Sequence, residues 1–205
     1  MTTMNGTVSR QPQTPPALRP IGRSVWSPQT NSHKDTMISR TLNTLSDNIR
    51  AQSVDLLNRY LAASIDLRAQ VKHAHWNTRG AAFIAVHELF DKVAAATDVY
   101  CDQIAERAAA LGGTALGTVQ VAAGRSFLVP YAVGIADQKL HIEAISGALA
   151  SFGEYARKAV DEAASRGDPG TADLFAGVSR GIDHQLWLVE SHFNPEADSR
   201  ANGSG

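Results

Sequence analysis

The side chains best suited to metal chemistry lie between His73 and Gly113, on two predicted helices joined by the turn 77–80. This stretch combines imidazole nitrogens with carboxylate oxygens and contains a single thiol. Such a set of ligands suits Fe(II), Mn(II) or Zn(II) better than a metal that prefers several thiolates. Two pairs have the four-residue spacing that places both members on one face of a helix, namely His87 with Asp91 and Asp102 with Glu106.

The spacing between the two pairs decides whether both pairs of one chain could bind the same metal ion. Asp91 and Asp102 are eleven residues apart, and eleven steps of about 100° return to within about 20° of the starting direction. The four side chains therefore line one stripe, but about 16 Å of helix axis separates the pairs. A small metal site cannot take ligands from both pairs of a single chain.

Two interpretations of this stripe remain open. The four side chains could be unrelated charges on a solvent-exposed helix, which is the usual role of charge runs. Alternatively, the helix could pair antiparallel with its symmetry copy, so that the first pair of one subunit faces the second pair of the other. The small residues 94–96, all alanine, would then lie at the two-fold axis, where they allow two backbones to approach closely.

Periodic apolar residues predict the helices that must position these groups. No segment shows the alternation expected of a strand. Four helices are predicted: from Asp47, capped by Ser46, to about His75; from about Ala82 to Leu111; from about Asp137 to Ala164; and from a Thr171 cap to about Phe193.

Residues 114–135 form a long connection, punctuated by glycine and proline, with room for one short helix. A connection of this length needs a reason in a compact domain, and a four-helix bundle with one long crossover supplies it. The fold class is therefore all-α, with the bundle over residues 46–193. Intramolecular di-iron bundles use Glu-x-x-His motifs, and the chain has none, which favours a site shared between subunits.

The 205-residue chain has an ordinary globular composition, with 43% hydrophobic and 19% charged residues. It has no apolar run of about 18 residues, so we expect no membrane span. Its single cysteine, Cys101, excludes an intramolecular disulfide and suits a reducing cytosol. We interpret Cys101 as a small buried side chain in preference to a reactive thiol.

The formal net charge of −1 hides an asymmetry along the chain, because residues 1–34 hold +4 and the remainder −5. Prolines and the lack of apolar clusters predict a disordered tail over residues 1–45, and residues 194–205 form a flexible end. The tail could be solvated without a partner, or it could contact a polyanion weakly and in a salt-dependent way. Its basic residues are Arg10, Arg19, Arg23 and Lys34.

Several motifs resemble those of the starvation-induced DNA-protecting ferritins of bacteria, the Dps family, and the likeness extends over about residues 42–193. It rests on His75-Trp76-Asn77, Gly80, Phe83, His87-Glu88, Asp91, Asp102, Ala105-Glu106-Arg107, Leu111-Gly112-Gly113, Ala172-Asp173, Trp187 and Glu190. The resemblance implies a ferritin-like four-helix bundle that assembles into a hollow, cytoplasmic dodecamer built on antiparallel two-fold dimers.

The resemblance also implies a ferroxidase, which oxidises Fe(II), preferably with hydrogen peroxide, and stores ferric mineral. In this family the iron site is shared between two subunits. The matching ligands are His75, His87 and Asp91 from one chain and Asp102 and Glu106 from the other. His73 is left out, because residues two apart on a helix point in different directions.

Some residues have both a functional and a structural interpretation. Trp76, beside a ligand, could accept stray oxidising equivalents, as the resemblance implies, or it could be a core aromatic. Glu88 and Asp98 flank the ligand stripe and could nucleate mineral or be merely solvated. Asp168 and Asp173 lie where acids stabilise the start of a helix, and the resemblance makes Asp173 part of an acidic pore through which Fe(II) enters.

DNA binding is the remaining function that the resemblance implies. The family's DNA binders often carry lysine-rich tails, whereas residues 1–34 bear mostly arginine and are sparse in charge. Twelve copies could still give avidity for DNA, or the tail could lie on a neighbouring subunit. The rival hypothesis is a structural nucleoid protein that compacts DNA and carries a vestigial metal site.

Overall fold

Helices account for nearly all the regular structure in the computed structural model, which describes residues 38–193. Within this range there is no strand, and one isolated bridge joins Arg79 to Asp137. The helices are α1 (Asp47–Asn77), α2 (Phe83–Ala110), α3 (Val119–Arg125), α4 (Gln138–Ser165) and α5 (Pro169–Glu190). The predicted all-α bundle is confirmed, and α3 is the short helix within its crossover. None of the helices in this range is long and apolar enough to cross a membrane.

The four long helices pack as two hairpins. Helix α1 lies mainly against α2 and α4 mainly against α5, while contacts of α1 with α4 and of α2 with α5 join the hairpins. The largest fully buried side chains, Phe90, Phe152 and Phe175, come from three of these helices, and burying each contributes about 1.5–3 kcal/mol. Helix α3 packs on α1, so the crossover runs beside the hairpin that carries the candidate ligands.

The helix starts follow from side-chain caps. The predicted cap of α1 is confirmed, because the Ser46 hydroxyl accepts a hydrogen bond from the Ile49 amide. The predicted Thr171 cap of the last helix is wrong: the cap is Asp168, three residues earlier, and the helix begins at Pro169. The Asp168 carboxylate accepts a hydrogen bond from the Thr171 amide at 3.0 Å, and proline suits the first helical position.

Residues 38–45, which we assigned to the tail, include a contact with the end of α2. The Ser39 amide donates to the Gly112 carbonyl at 2.8 Å, and the buried Arg50 side chain donates to the Leu111 carbonyl at 2.9 Å. Gly112 has a φ of 84°, which favours glycine. The remainder of the predicted tail, with Arg10, Arg19, Arg23 and Lys34, and the predicted flexible end, residues 194–205, lie outside the described residues.

Candidate metal centre

The hairpin of α1 and α2 brings two predicted ligands together. His75 lies in the last turn of α1 and His87 in the second turn of α2, on either side of the short connection between Asn77 and Phe83. Their imidazole rings stack, with centroids 3.8 Å apart and an angle of 21° between the ring planes. Both residues are half-buried, so the ring pair lies at the edge of the apolar core and remains open on one side.

Each of the two rings is oriented by the backbone of the other residue. His75 Nδ1 lies 2.8 Å from the His87 carbonyl oxygen, and His87 Nδ1 lies 2.9 Å from the His75 carbonyl oxygen. A carbonyl oxygen only accepts hydrogen bonds, so both Nδ1 atoms carry a proton, and in a neutral ring Nε2 is the nitrogen that can bind a metal ion. This is the usual arrangement of metal-binding histidines, in which the second ring nitrogen donates to a fixed acceptor.

Asp91 follows His87 by one helical turn on α2 and is paired with a lysine. The Lys72 ammonium lies 2.7 Å from the Asp91 carboxylate. This hydrogen bond and the lysine's charge hold the pKa of the Asp91 carboxyl below its usual value. The carboxylate is therefore ionised at neutral pH and available to a metal ion, but such an ion must compete with the ammonium.

The second predicted pair, Asp102 and Glu106, lies further along α2. Both residues are exposed, and among residues 38–193 no basic side chain forms an ion pair with either. In the described part of one chain, no three His, Cys, Asp or Glu side chains converge on a point that could hold a metal ion. Because α2 is one uninterrupted helix, the two pairs are separated by the length that their spacing predicts.

The surface between the two pairs is formed by small and apolar side chains. Ala95 is exposed, Ala96 is half-buried and Val99 is 53% exposed. A neighbouring groove of about 510 Å³ is lined by residues of α1, α2 and the crossover, including Cys101 and Asp102. Cys101 is itself half-buried, and burial raises the pKa of its thiol, which agrees with its interpretation as an unreactive packing residue.

The remaining predicted residues of this region differ in their surroundings. Trp76 is 69% exposed, so its interpretation as a core aromatic is wrong for the single chain, and the Lys72 ammonium lies 5.7 Å from its ring centroid. Asp98 forms a 2.7 Å ion pair with Arg68, whereas Glu88 is exposed. Of the two predicted nucleation residues, Glu88 therefore has the carboxylate that is not already neutralised.

The two acids at the start of α5 also have different roles. Asp168 is buried and forms a 2.7 Å ion pair with Arg107, the residue after Glu106. Its assignment as a helix-stabilising acid is confirmed. Asp173 is exposed on the second turn of the same helix, where its carboxylate is accessible from solvent.

Sequence reasoning missed Lys72 and the pair formed by Tyr131 and His141. Lys72 precedes His75 by three residues and so shares its helical face, a signal that could have identified it as a neighbour of the ligands. The Tyr131 hydroxyl lies 2.6 Å from His141 Nδ1. No periodic pattern could reveal this contact, because Tyr131 belongs to the irregular part of the crossover.

Comparison with known proteins agrees with this architecture. The Ferritin family, described as a ferritin-like domain, matches residues 54–196. DpsC from Streptomyces coelicolor has the same fold with a TM-score of 0.74 at 28% identity, covering 79% of this chain and 96% of that chain. The helical architecture and these two similarities define a ferritin-like protein, as predicted.

Curated relatives define the family more narrowly. A DNA protection during starvation protein of Agrobacterium fabrum is 40% identical over 153 residues, covering 75% of this chain and 94% of the relative. A DNA protection during starvation protein of Mycolicibacterium smegmatis is 30% identical over 156 residues, covering 76% of this chain and 85% of the relative. The chain belongs to the Dps family of ferritin-like proteins.

Proposed function

We propose that this protein oxidises Fe(II), preferably with hydrogen peroxide, at sites shared between two subunits, and stores the ferric product inside a hollow dodecamer in the cytoplasm. The observation that carries this proposal is the oriented ring pair of His75 and His87 beside the ionised Asp91 carboxylate. Two imidazole nitrogens and a carboxylate on one side of a hairpin form half of an iron site.

The other half comes from a partner subunit in this proposal. Asp102 and Glu106 are exposed carboxylates on the same stripe of α2 and have no ion-pair partner within residues 38–193. An antiparallel two-fold contact between two α2 helices places this pair opposite the ring pair of the other chain. The small residues at positions 95 and 96 lie midway, where two helices must approach closely.

The ligand types support iron oxidation in particular. Imidazoles bind Fe(II), and carboxylates stabilise the Fe(III) that forms. One peroxide accepts one electron from each of two Fe(II) ions and yields two hydroxide ions, so no hydroxyl radical is released. The Lys72 ammonium occupies Oδ1 of Asp91, so iron must displace the ammonium to bind that oxygen atom.

Stopped-flow oxidation tests the assignment of the ligands. Anaerobic Fe(II) mixed with peroxide should give a fast ferric absorbance in the wild type. We expect His75→Ala and Asp102→Ala to lose it, while Asp161→Ala, which removes an exposed carboxylate of α4, retains it. Unchanged rates in the first two variants would show that the ligands are misassigned, and a wild type that fails to oxidise iron would overturn the proposal.

Subunit mixing tests whether the site is shared. His87→Ala damages one half-site and Glu106→Ala the other, so each homogeneous shell should be inactive. Shells assembled from both variants contain some interfaces with one intact pair from each chain, and these should recover part of the activity. Mixed shells that form, as verified by native mass spectrometry, but stay inactive would argue against sharing.

Storage and entry of iron are the further parts of the proposal. A solution mass of twelve subunits and an electron-dense core after iron loading are expected. Asp173, exposed near the start of α5, would line the entry pore, and Glu88 would nucleate mineral, with the ion-paired Asp98 contributing less. Asp173→Asn should slow iron uptake at low Fe(II), and an unchanged uptake rate would remove this residue from the pore.

A second candidate function is non-specific DNA binding, which would place the shell on the nucleoid. It is favoured by the names of the two curated relatives, which describe DNA protection, and by the four basic residues in a stretch without acids, residues 1–34. A gel-shift assay at low and physiological salt, with and without residues 1–34, tests it. Tail-dependent DNA retention without iron oxidation would instead support the rival structural nucleoid protein.

A further inference from the structure

A groove beside Asp102 has no part in the ligand set described above. It has a volume of about 510 Å³ and lies between α1, α2 and the start of the crossover. Its lining is mostly apolar and includes Leu61, Ile65, Val99, Ala105, Ala115 and Gly117. Because a large apolar side chain packed there would remove apolar surface from water, the groove suits an aromatic or aliphatic side chain.

Trp76 is an exposed aromatic side chain beside a proposed ligand. It is 69% exposed and directly follows His75 in the last turn of α1. An indole exposed to this extent leaves most of its apolar surface in water. Tryptophan is enriched at the centre of protein interfaces, where a large rigid side chain packs in a pocket of the partner. Trp76 is therefore a candidate for a contact with a second copy of the chain.

The residues of the proposed shared site place Trp76 near this groove of the partner. In the antiparallel contact of two α2 helices, His87 faces the partner's Glu106. The His75 ring stacks on the His87 ring with centroids 3.8 Å apart, and Trp76 is the next residue after His75. Trp76 thus lies close to the level of the partner's Glu106 along α2. The groove reaches that level, because Ala105 lines it and one residue advances a helix by only about 1.5 Å.

The two-fold symmetry and the charges also suit this contact. A two-fold axis that relates antiparallel helices is perpendicular to both, so the two α1 helices lie on the same side of the α2 pair. The groove between α1 and α2 of one chain therefore faces the hairpin of the other. Asp98 and Asp102 line the groove. The Lys72 ammonium lies 5.7 Å from the centroid of the Trp76 ring, so the two surfaces carry opposite charges.

We propose that Trp76 of each subunit packs in this groove of its partner, beside the partner's Asp102; the inference rests on the proposed function, which requires the same two-fold contact. Because the contact is isologous, each pair of subunits contains two such packed indoles. Each indole covers the groove next to one shared iron site. Trp76 thus joins the hairpin that carries the imidazoles to the helix that carries the partner's carboxylates.

Two other arrangements would leave Trp76 outside the groove. The indole could remain in water, or residues 1–37 could occupy the groove. Gly117 offers a variant that separates these cases. A Cβ added at Gly117 would lie 3.6 Å from Ile65 Cδ1 and 3.7 Å from Leu61 Cδ2, which are ordinary van der Waals distances, and the φ of Gly117 is not positive. Gly117→Leu should therefore fill the groove without straining the backbone.

Tryptophan fluorescence of the assembled protein tests the packing of Trp76. The chain has three tryptophans, so Trp26→Phe with Trp187→Phe leaves Trp76 as the sole emitter. We expect its emission to move to shorter wavelength when subunits assemble, and to return to longer wavelength when Gly117→Leu is added. Deletion of residues 1–37 should leave the emission unchanged. An assembled protein whose Trp76 emission is that of an exposed indole, or does not respond to Gly117→Leu, overturns the inference. An emission shift that requires residues 1–37 also overturns it.

Cross-linking between two variants tests the same packing without filling the groove. Both chains carry Cys101→Ser, so each has one thiol, from Trp76→Cys in one chain and from Ala105→Cys in the other. A short bis-maleimide should join position 76 to position 105 in mixed shells, as identified by peptide mass spectrometry. Trp187→Cys, which replaces the other exposed tryptophan within residues 38–193, should give no link to Ala105→Cys.

The outcomes separate the inference from the proposed function. A wild type that oxidises iron, together with variants that give no link between positions 76 and 105, overturns the inference and leaves the proposed function intact. A wild type that oxidises no iron and forms no two-fold dimer overturns the proposed function first, and the inference with it.

Discussion

Removing the Asp168 carboxylate should destabilise the protein more than any other change at the start of α5. The side chain is 1% exposed and pairs with Arg107 at 2.7 Å, and it accepts hydrogen bonds from the Thr171 amide at 3.0 Å and the Thr171 hydroxyl at 2.5 Å. Loss of a helix cap costs about 1 kcal/mol, and loss of a hydrogen bond to a charged group costs about 1.5–3 kcal/mol. Asp168→Ala should therefore lower the free energy of unfolding by about 2–4 kcal/mol per chain.

Urea unfolding at a fixed protein concentration measures this loss, because the proposed assembly would also contribute to the apparent stability. Asp168→Asn is the matched variant: asparagine is a good cap but carries no charge, so it should recover about 1 kcal/mol relative to alanine. If Asp168→Ala lies within about 0.5 kcal/mol of the wild type, as for an ordinary surface change, the proposed joint role of cap and ion pair is refuted. Equal losses in both variants would assign the whole effect to the charge.

Three further predictions follow from single contacts. Lys72→Met should tighten anaerobic Fe(II) binding, measured by calorimetry, because no ammonium then competes for Asp91; Arg68→Met, beside a non-ligand, should not. Burial raises the pKa of Asp168, but the hydrogen bonds from Thr171 and the charge of Arg107 outweigh it and lower that pKa. The contribution of Asp168 to stability is therefore present above the unfolded pKa of about 3.9 and is lost as pH falls through the folded value. The stability difference between wild type and Asp168→Asn should accordingly shrink in acid, and a constant difference would contradict the lowered pKa. Gly112→Ala should destabilise by about 1–3 kcal/mol in thermal or urea unfolding, because the added Cβ would lie 2.6 Å from the Ser39 carbonyl oxygen at a φ of 84°; a stability equal to the wild type would show that this contact relaxes freely.

The long helices were predictable because their apolar periodicity is regular, whereas their ends depended on particular side chains. Thr171 and Asp168 are both residue types that cap helices well, but Pro169 directly after Asp168 was a local signal for the earlier start that the prediction did not use. The contact of Asp168 with Arg107, which lies 61 residues earlier in the chain, could not be read from a local pattern. Helix boundaries were therefore less accurate than helix number.

The candidate site likewise has features that the sequence predicts and features that depend on tertiary packing. The stripe on α2 was predictable, because the four-residue and eleven-residue spacings depend only on α2 being one continuous helix. The stacking of His75 on His87 was not, since it depends on how the turn after Asn77 returns the chain. The exposure of Trp76 could not be predicted either. An aromatic side chain at the edge of a buried helix face can pack into the core or lie on the surface, and Trp76 lies on the surface.

The charges of the proposed shared site predict that sites with one bound Fe(II) are populated at low iron. Asp91 from one chain and Asp102 and Glu106 from its partner would contribute three negative charges, and the two imidazoles would add none, because an imidazole binds a metal ion in its neutral form. With the Lys72 ammonium on Asp91, the net charge is −2, which one Fe(II) balances. A second Fe(II) then enters an already neutral site and is favoured only once the ammonium withdraws. Sites that hold one Fe(II) should therefore be common at low iron. Peroxide that reaches such a site can take only one electron from iron.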